Sequence, residues 1–250
     1  MKRISAVIIT RNEEKNIARC VRSLKFADEV LVADTGSTDR TVEIASALGC
    51  STFEIPWEGG FGPVKKKAVG KAGNEWILSV DADEAVSPEL ARKISDLPED
   101  SDRSGYNIKR RSFYLGREIK FSGWGSDYPL RLFNRKKGNF NDLPVHEFAE
   151  CEGPVERIYE PLMHYTYPDL KTHVEKMIRY AEISAGILSK EKKRYSAPGS
   201  FMRAVLKFKK MYFLKAGFLD GREGFILALV SAFGIFYKYS SVKPAETETD

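Results

Sequence analysis

The sequence predicts an α/β fold: a mostly parallel sheet, a smaller antiparallel section and a C-terminal helical appendage. Three observations predict it. In the first hundred residues, short apolar runs alternate with stretches of helical periodicity, the pattern of βαβ units. After residue 100, strand-like pieces follow one another without intervening helices, and from about Asp169 onward the chain reads as helical throughout.

The first strand is Ser5 to Thr10. Ile17, Cys20, Val21 and Leu24 then recur at helical spacing, with Glu13 and Glu14 near the start, where the helix dipole favours acids. EVLVAD is the second strand, ending at Asp34. After TGSTD, a helix over about Asp39 to Leu48 stops at Gly49, a residue suited to a left-handed C-terminal cap. STFEI and EWILSV are the third and fourth strands, and between them Lys65, Lys66 and Lys67 open a helix after the loop WEGGFGPV. In SPEL, Ser87 is placed as N-cap and Pro88 at the first helical position. YNIKRRSFYL and YPLRLFNR are later strands, separated by the glycine-rich GREIKFSGWGSD.

At 250 residues and 42% apolar, the chain is long enough for one large domain or a domain with an appendage. Cys20, Cys50 and Cys151 are odd in number, far apart and lack metal-ligand spacing, which fits core thiols in a reduced compartment. The opening MKRISAVIITRNEE meets charge too soon for a signal peptide and reads as a strand, so a cytoplasmic location is expected. The net charge of +5 is concentrated in KKRYSAPGSFMRAVLKFKK near residue 200. Such an excess suits nucleic acid, anionic lipid or a phosphorylated ligand, and composition does not choose among them.

Three strand ends deliver polar clusters: Thr10-Arg11-Asn12, Asp34-Thr35-Gly36 and Asp81-Ala82-Asp83. In open parallel sheets, ligands bind outside these carboxyl ends. On an extended chain Asp81 and Asp83 project together. Paired carboxylates suit Mg²⁺ or Mn²⁺, with phosphate and water completing the shell; a solvated turn is the alternative. Asp34 ahead of Gly36 and Ser37 reads either as a capped turn or as a carboxylate for a ribose or base beside anion-holding amides. GxGxxG and GxxxxGK[ST] are absent, which disfavours a dinucleotide cofactor and a P-loop. Lys65 is the lysine singled out to neutralise a diphosphate, against the alternative of a solvated charged face.

In chain order, TRNEEKNIARCVRSL, VADTGSTDRTVEIA, ILSVDADEAVSPEL, SGWGSDYPLRLFNRKKG, VHE, LMHYTY and FLKAGFLDGREGFILA resemble family 2 glycosyltransferases, in the branch containing lipopolysaccharide-core β-1,4-glucosyltransferases. The resemblance implies a GT-A fold, a nucleotide-sugar donor and inversion at the anomeric carbon. It implies nucleotide-sugar contacts from Thr10, Arg11, Asn12, Glu13, Asp34, Gly36, Ser37, Lys65, Asp81, Ala82 and Arg131, with Asp83 on Mg²⁺ or Mn²⁺. GPVKKKAV departs from the family: Val64 and Lys66 stand where a Gln and an Asn are frequent, leaving Lys65 as the matching residue. The division implied is a catalytic domain over 1–165, with a nucleotide-sugar half to about 100 and an acceptor half after it, then a helical region over 166–250.

Inverting transfer needs a general base for the acceptor hydroxyl. Asp127, in the loop before LRLFNR, is the first candidate and Glu147 the second, each with surface decoration as the alternative. His146 positions the acceptor or diphosphate, or is structural. Trp124 stacks on an acceptor sugar or plugs the sheet. His164 and Tyr165 read as a strand end.

In FMRAVLKFKKMYFLKAGFL, aromatic and aliphatic residues interleave with basic ones, as in a helix lying on an anionic bilayer. The uncharged run GFILALVSAFGIFY has 14 residues. Spanning takes ~20. The alternative is a helical hairpin packed on the catalytic domain. The leading expectation is a metal-dependent inverting glycosyltransferase, peripheral at the inner face of the cytoplasmic membrane, moving glucose from UDP-glucose to a glycolipid and binding no nucleic acid. A nucleotidyltransferase making NDP-sugars is the alternative enzyme, although TRNEEKN lacks its usual glycines. A non-catalytic membrane-surface sugar-binding protein is the third reading.

Overall fold

The computed structural model describes residues 2–99, 101–143, 147–190 and 195–242. Strands β1 (Ile4–Thr10), β2 (Glu29–Asp34), β3 (Ser51–Glu54) and β4 (Trp76–Asp81) pair in parallel in the order β3-β2-β1-β4. Helices α1 (Ile17–Arg22), α2 (Thr41–Ala47) and α3 (Phe61–Gly70) connect them. The chain steps outward from β1 to β3 and then returns to the far side of β1. That reversal opens a crevice at the carboxyl ends of β1 and β4, next to β2. Thr10, Asp34 and Asp81 are the last residues of those three strands.

Beyond β4 come β5 (Glu84–Val86), α4 (Pro88–Ser95), β6 (Gly105–Tyr114), β7 (Arg117–Glu118), β8 (Leu130–Asn134), β9 (Gly138–Phe140), β10 (Ala149–Cys151) and β11 (Val155–Tyr167). The sheet continues from β4 as β8-β6-β11-β5, with β7 on β6; β9 and β10 form a separate ribbon. The β4–β8, β6–β8 and β5–β11 pairings are antiparallel. The expected α/β class, parallel then mixed, is the architecture observed.

Alternation along the strands explains why both sheet faces are covered. On β1 and β4, Ile4, Ala6, Ile8, Trp76, Leu78 and Val80 join one core with Ile17, Leu24, Leu90 and Ile94. Their neighbours Val7 and Ile77 turn to the other face and pack with Val64, Ala68 and Phe133. Strands buried on both sides read as continuous apolar runs, which is what Ser5–Thr10 and Trp76–Val80 are. Helix α4 is started by the Ser87 hydroxyl, which accepts from Leu90 N at 3.1 Å, with Pro88 next. Gly49 has φ +85°, the left-handed stop expected of it.

Three local expectations are corrected. Gly59 and Gly60 take φ of +74° and +100°, and α3 begins directly after them at Phe61, so Lys65, Lys66 and Lys67 lie within the helix and do not open it. Ala82 and Asp83 form a turn joining β4 to β5, so Asp81 and Asp83 do not share an extended segment. His164 and Tyr165 lie inside β11, which runs on to Tyr167.

The chain forms two compact units, Met1–Arg111 with Ser126–Thr166, and Ser112–Gly125 with Tyr167–Asp250. In the second, α5 (Leu170–Lys190), α6 (Ala197–Lys209) and α7 (Gly221–Ser240) are the main helices, with a π turn at Lys210–Leu214 and a 3₁₀ turn at Gly217–Asp220 between α6 and α7. The buried Asp220 carboxylate accepts from Lys120 N at 3.0 Å, Phe121 N at 3.1 Å and the Ser122 hydroxyl at 3.1 Å, tying that loop down. Among the described residues, no helix is long and apolar enough to cross a membrane.

Candidate active site

The loops after β1 and β2 are joined by side chains that donate to or accept from backbone. Thr35 N and Oγ1 both donate to Thr10 O, at 3.0 and 3.1 Å. Asn12, at φ +55°, donates its N–H to Ser37 Oγ and accepts Thr38 N on Oδ1, while Glu13 N donates to Thr41 Oγ1. Asp34 closes its own turn: Oδ2 accepts Gly36 N at 2.9 Å and Ser37 N at 2.8 Å. That is the capped-turn reading of TGSTD. Arg11 is exposed, Ala82 is buried in the core, and Thr10 Oγ1 is buried with no hydrogen-bond partner among the described residues.

At the end of β4, charged groups gather. Lys65, 5% exposed, places Nζ 2.9 Å from Asp81 Oδ1 and 2.8 Å from Glu147 Oε1. Arg131 Nη2 donates to Asp81 Oδ2 at 2.6 Å and to Glu84 Oε1 at 2.7 Å. Glu84 Oε2 in turn accepts Asp81 N at 2.9 Å. Arg110 lies 3.7 Å from Glu84 and grips Asp127 Oδ2, with Nε at 2.7 Å. Asp127 Oδ1 has no hydrogen bond among the described residues, and its side chain is 36% exposed. Lys66 and Lys67 instead pair at the surface with Asp142 and Glu58.

Burial alone would raise the Asp81 pKa, but Arg131 and Lys65 outweigh it and hold the carboxyl well below its ordinary range. Burial would likewise lower the Lys65 ammonium; Asp81 and Glu147 reverse that, and its pKa is raised. Glu84 goes the other way: burial pushes its carboxyl up, only partly offset by Arg131. Asp81, Lys65 and Arg131 therefore stay ionised, a fixed pattern of charge inside the protein.

Asp83 lies apart from this cluster. Its carbonyl accepts Tyr165 N at 2.9 Å, and Oδ1 is 3.6 Å from His164 Nε2. The gap is too wide for a direct hydrogen bond. A carboxylate oxygen facing an imidazole nitrogen is a donor pair that Mn²⁺ accepts, with phosphate and water as the remaining ligands. Among the described residues no three His, Cys, Asp or Glu converge as a complete metal cage. The pair fits a cation that shares its shell with a substrate.

Of the residues singled out from sequence, the structure brings together Lys65, Asp81, Arg131 and Glu147, and places Asp127 next to them through Arg110 and Glu84. His146 lies outside the described residues. Trp124 packs edge-on to Tyr114, ring centres 6.2 Å apart, against the aromatic core of the second unit. Sequence reasoning missed Glu84, Arg110 and His164. Glu84 had one signal, a third acid directly after Asp83 in DADE; the other two are recognisable only by what they touch.

Comparison with known proteins follows the same lines. Residues 5–151 match the family model for glycosyl transferase family 2. An uncharacterized glycosyltransferase of Rickettsia typhi is 31% identical over 97% of this chain and 87% of its own length. The lipopolysaccharide core biosynthesis glycosyltransferase LpsC of Rhizobium meliloti is 27% identical over 93% of this chain and 89% of its own. Among solved structures, S. aureus TarS is 18% identical and aligns over 97% of this chain and 55% of its own, with a TM-score of 0.51, a likeness of fold.

Proposed function

The chain belongs to glycosyl transferase family 2, and from that membership we propose that it is an inverting, metal-dependent hexosyltransferase acting at the inner face of the cytoplasmic membrane, with UDP-glucose as donor and a lipopolysaccharide-core or related glycolipid sugar as acceptor. The observation that carries the proposal is the buried ion cluster at the end of β4, in which Lys65 and Arg131 fix both oxygens of Asp81. LpsC, named for core biosynthesis, supports the choice of acceptor.

Asp81, immobilised from both sides, orients donor hydroxyls. Asp127 is the general base. Arg110 holds it through Oδ2, and Oδ1 takes the acceptor proton as the new glycosidic bond forms and the bond from the anomeric carbon to the diphosphate breaks. Glu147 keeps Lys65 in place. Asp83 and His164 would hold Mg²⁺ or Mn²⁺, which would supply Lewis-acid neutralisation of the departing diphosphate. Asn12 and Glu13, with Thr10 behind them at the end of β1, line the nucleotide.

Purified protein with Mn²⁺, core oligosaccharide acceptor and a panel of UDP-, GDP-, ADP- and CMP-sugars should release UDP fastest from UDP-glucose. Preference for another nucleotide would overturn the donor. Asp127→Asn should lower kcat by roughly 10²–10⁴ with little change in donor KM. A variant within about twofold of wild type would transfer the role to Glu147.

A further inference from the structure

Helices α6 and α7 leave an apolar groove between them. Its walls are Phe201, Phe208, Phe225 and Phe233 and its floor includes Ala204 and Ala232, enclosing about 550 Å³. That is within the range of small-molecule sites, ~300–1,000 Å³. The positions recur at three, four and seven residues on α6 and at four, seven and eight on α7, so each helix contributes one whole face. Those faces are open: Phe201 is 61% exposed, Leu229 51% and Phe233 48%. Phe213 and Leu214 in the π turn and Phe218 and Leu219 in the 3₁₀ turn are exposed as well, and the Phe213 ring lies 6.4 Å from that of Phe208 in the groove. Single exposed apolar residues need no explanation, but a contiguous patch marks a contact.

Charge selects the occupant. Residues 195–242 carry seven basic side chains, Arg203, Lys207, Lys209, Lys210, Lys215, Arg222 and Lys238, against two acids, Asp220 and Glu223. Asp220 is spent on the Lys120–Ser122 loop. A second copy docked on this face would oppose cation to cation. The tail after Val242, KPAETETD, is too polar to fill an aromatic groove. An anionic bilayer offers both complements, acyl chains for the groove and negative headgroups for the lysines.

We propose that the α6–α7 face is a lipid-docking site that seats on an anionic phospholipid bilayer, with one acyl chain in the groove. It rests on the membrane-side placement given above and adds the site, the lipid charge and the residues. Aromatic side chains and lysines reach in without a spanning helix.

The test is co-sedimentation with vesicles of phosphatidylcholine, with and without phosphatidylglycerol, in the absence of donor and acceptor. Wild type should pellet with the anionic vesicles and not with the neutral ones. Lys209→Gln with Lys210→Gln should weaken that binding about thirtyfold, and Leu229→Asp by more than about tenfold. Unchanged circular dichroism shows that the exposed variants fold. A Leu229→Trp reporter should be quenched by lipids brominated along the acyl chain. Equal binding to both vesicle types, no quenching, or a solution dimer abolished by Leu229→Asp would overturn the proposal. Transfer to lipid-free core oligosaccharide is assayed in parallel, so loss of vesicle binding with transfer intact separates this inference from the catalytic one.

Discussion

Replacing Glu84 by Gln tests whether the ion cluster holds the site together. Glu84 is fully buried, and its two oxygens face different donors, Arg131 Nη2 at 2.7 Å and Asp81 N at 2.9 Å. A glutamine keeps the shape, but one end is an amide that donates. Whichever way it is turned, it sets N–H against N–H, at Arg131 or at the Asp81 amide. A lost hydrogen bond to a charged group costs ~1.5–3 kcal/mol, and removing one member of a buried ion pair ~3–5 kcal/mol. Arg131 keeps Asp81 at 2.6 Å, so the lower end applies, about 3 kcal/mol. For a chain of this size that lowers Tm by roughly 6–12 °C, measured by thermal circular dichroism at pH 7. A double-mutant cycle with Arg131→Met should show coupling above about 1 kcal/mol. A melting point within about 2 °C of wild type, or additive effects in the cycle, would refute the assigned role.

Three other outcomes are expected. Asp83→Ala and His164→Ala should each weaken Mn²⁺ binding more than about tenfold, read from the free Mn²⁺ signal by electron paramagnetic resonance; equal affinity in either variant removes that residue from the cation site. His173 stacks on Tyr167 at 4.2 Å and shares a 2.8 Å hydrogen bond between Nδ1 and the Tyr114 hydroxyl, and burial drops its pKa from 6.5 to about 4. In that window the unfolded chain binds a proton that the folded one refuses, so stability falls as pH drops from 6.5 toward 4, and His173→Phe should flatten this part of the urea-midpoint profile. Parallel profiles for the two proteins would contradict the assignment. Ser87→Ala should cost about 1 kcal/mol in urea unfolding by removing the cap of α4, and no change would mean the Leu90 amide finds another acceptor.

The first hundred residues were legible because their elements are specified locally. Ser5–Thr10, Glu29–Asp34 and Trp76–Val80 are apolar enough to be strands buried on both faces, and Ser87-Pro88 and Gly49 carry their capping roles in their own chemistry. The start of α3 was not legible, because Gly59 and Gly60 read as loop and gave no sign that the helix begins immediately after them. Lys65 differs from Lys66 and Lys67 only by which side of α3 it occupies, and that side is set by packing against the sheet. Glu84, Arg110 and His164 come from three different strands, so their meeting depends on β6, β11 and β5 lying side by side in the sheet, for which short-range pattern carries no code.

The knitting of the β1 and β2 loops has a consequence for ligand capture. Asn12 is bonded to Ser37, Thr35 to Thr10 and Glu13 to Thr41 before anything arrives, so this wall of the crevice has little freedom left to surrender when a nucleotide docks. Association there should be fast and nearly rigid. A substitution that merely loosens Asn12 should slow capture while sparing turnover once the crevice is full.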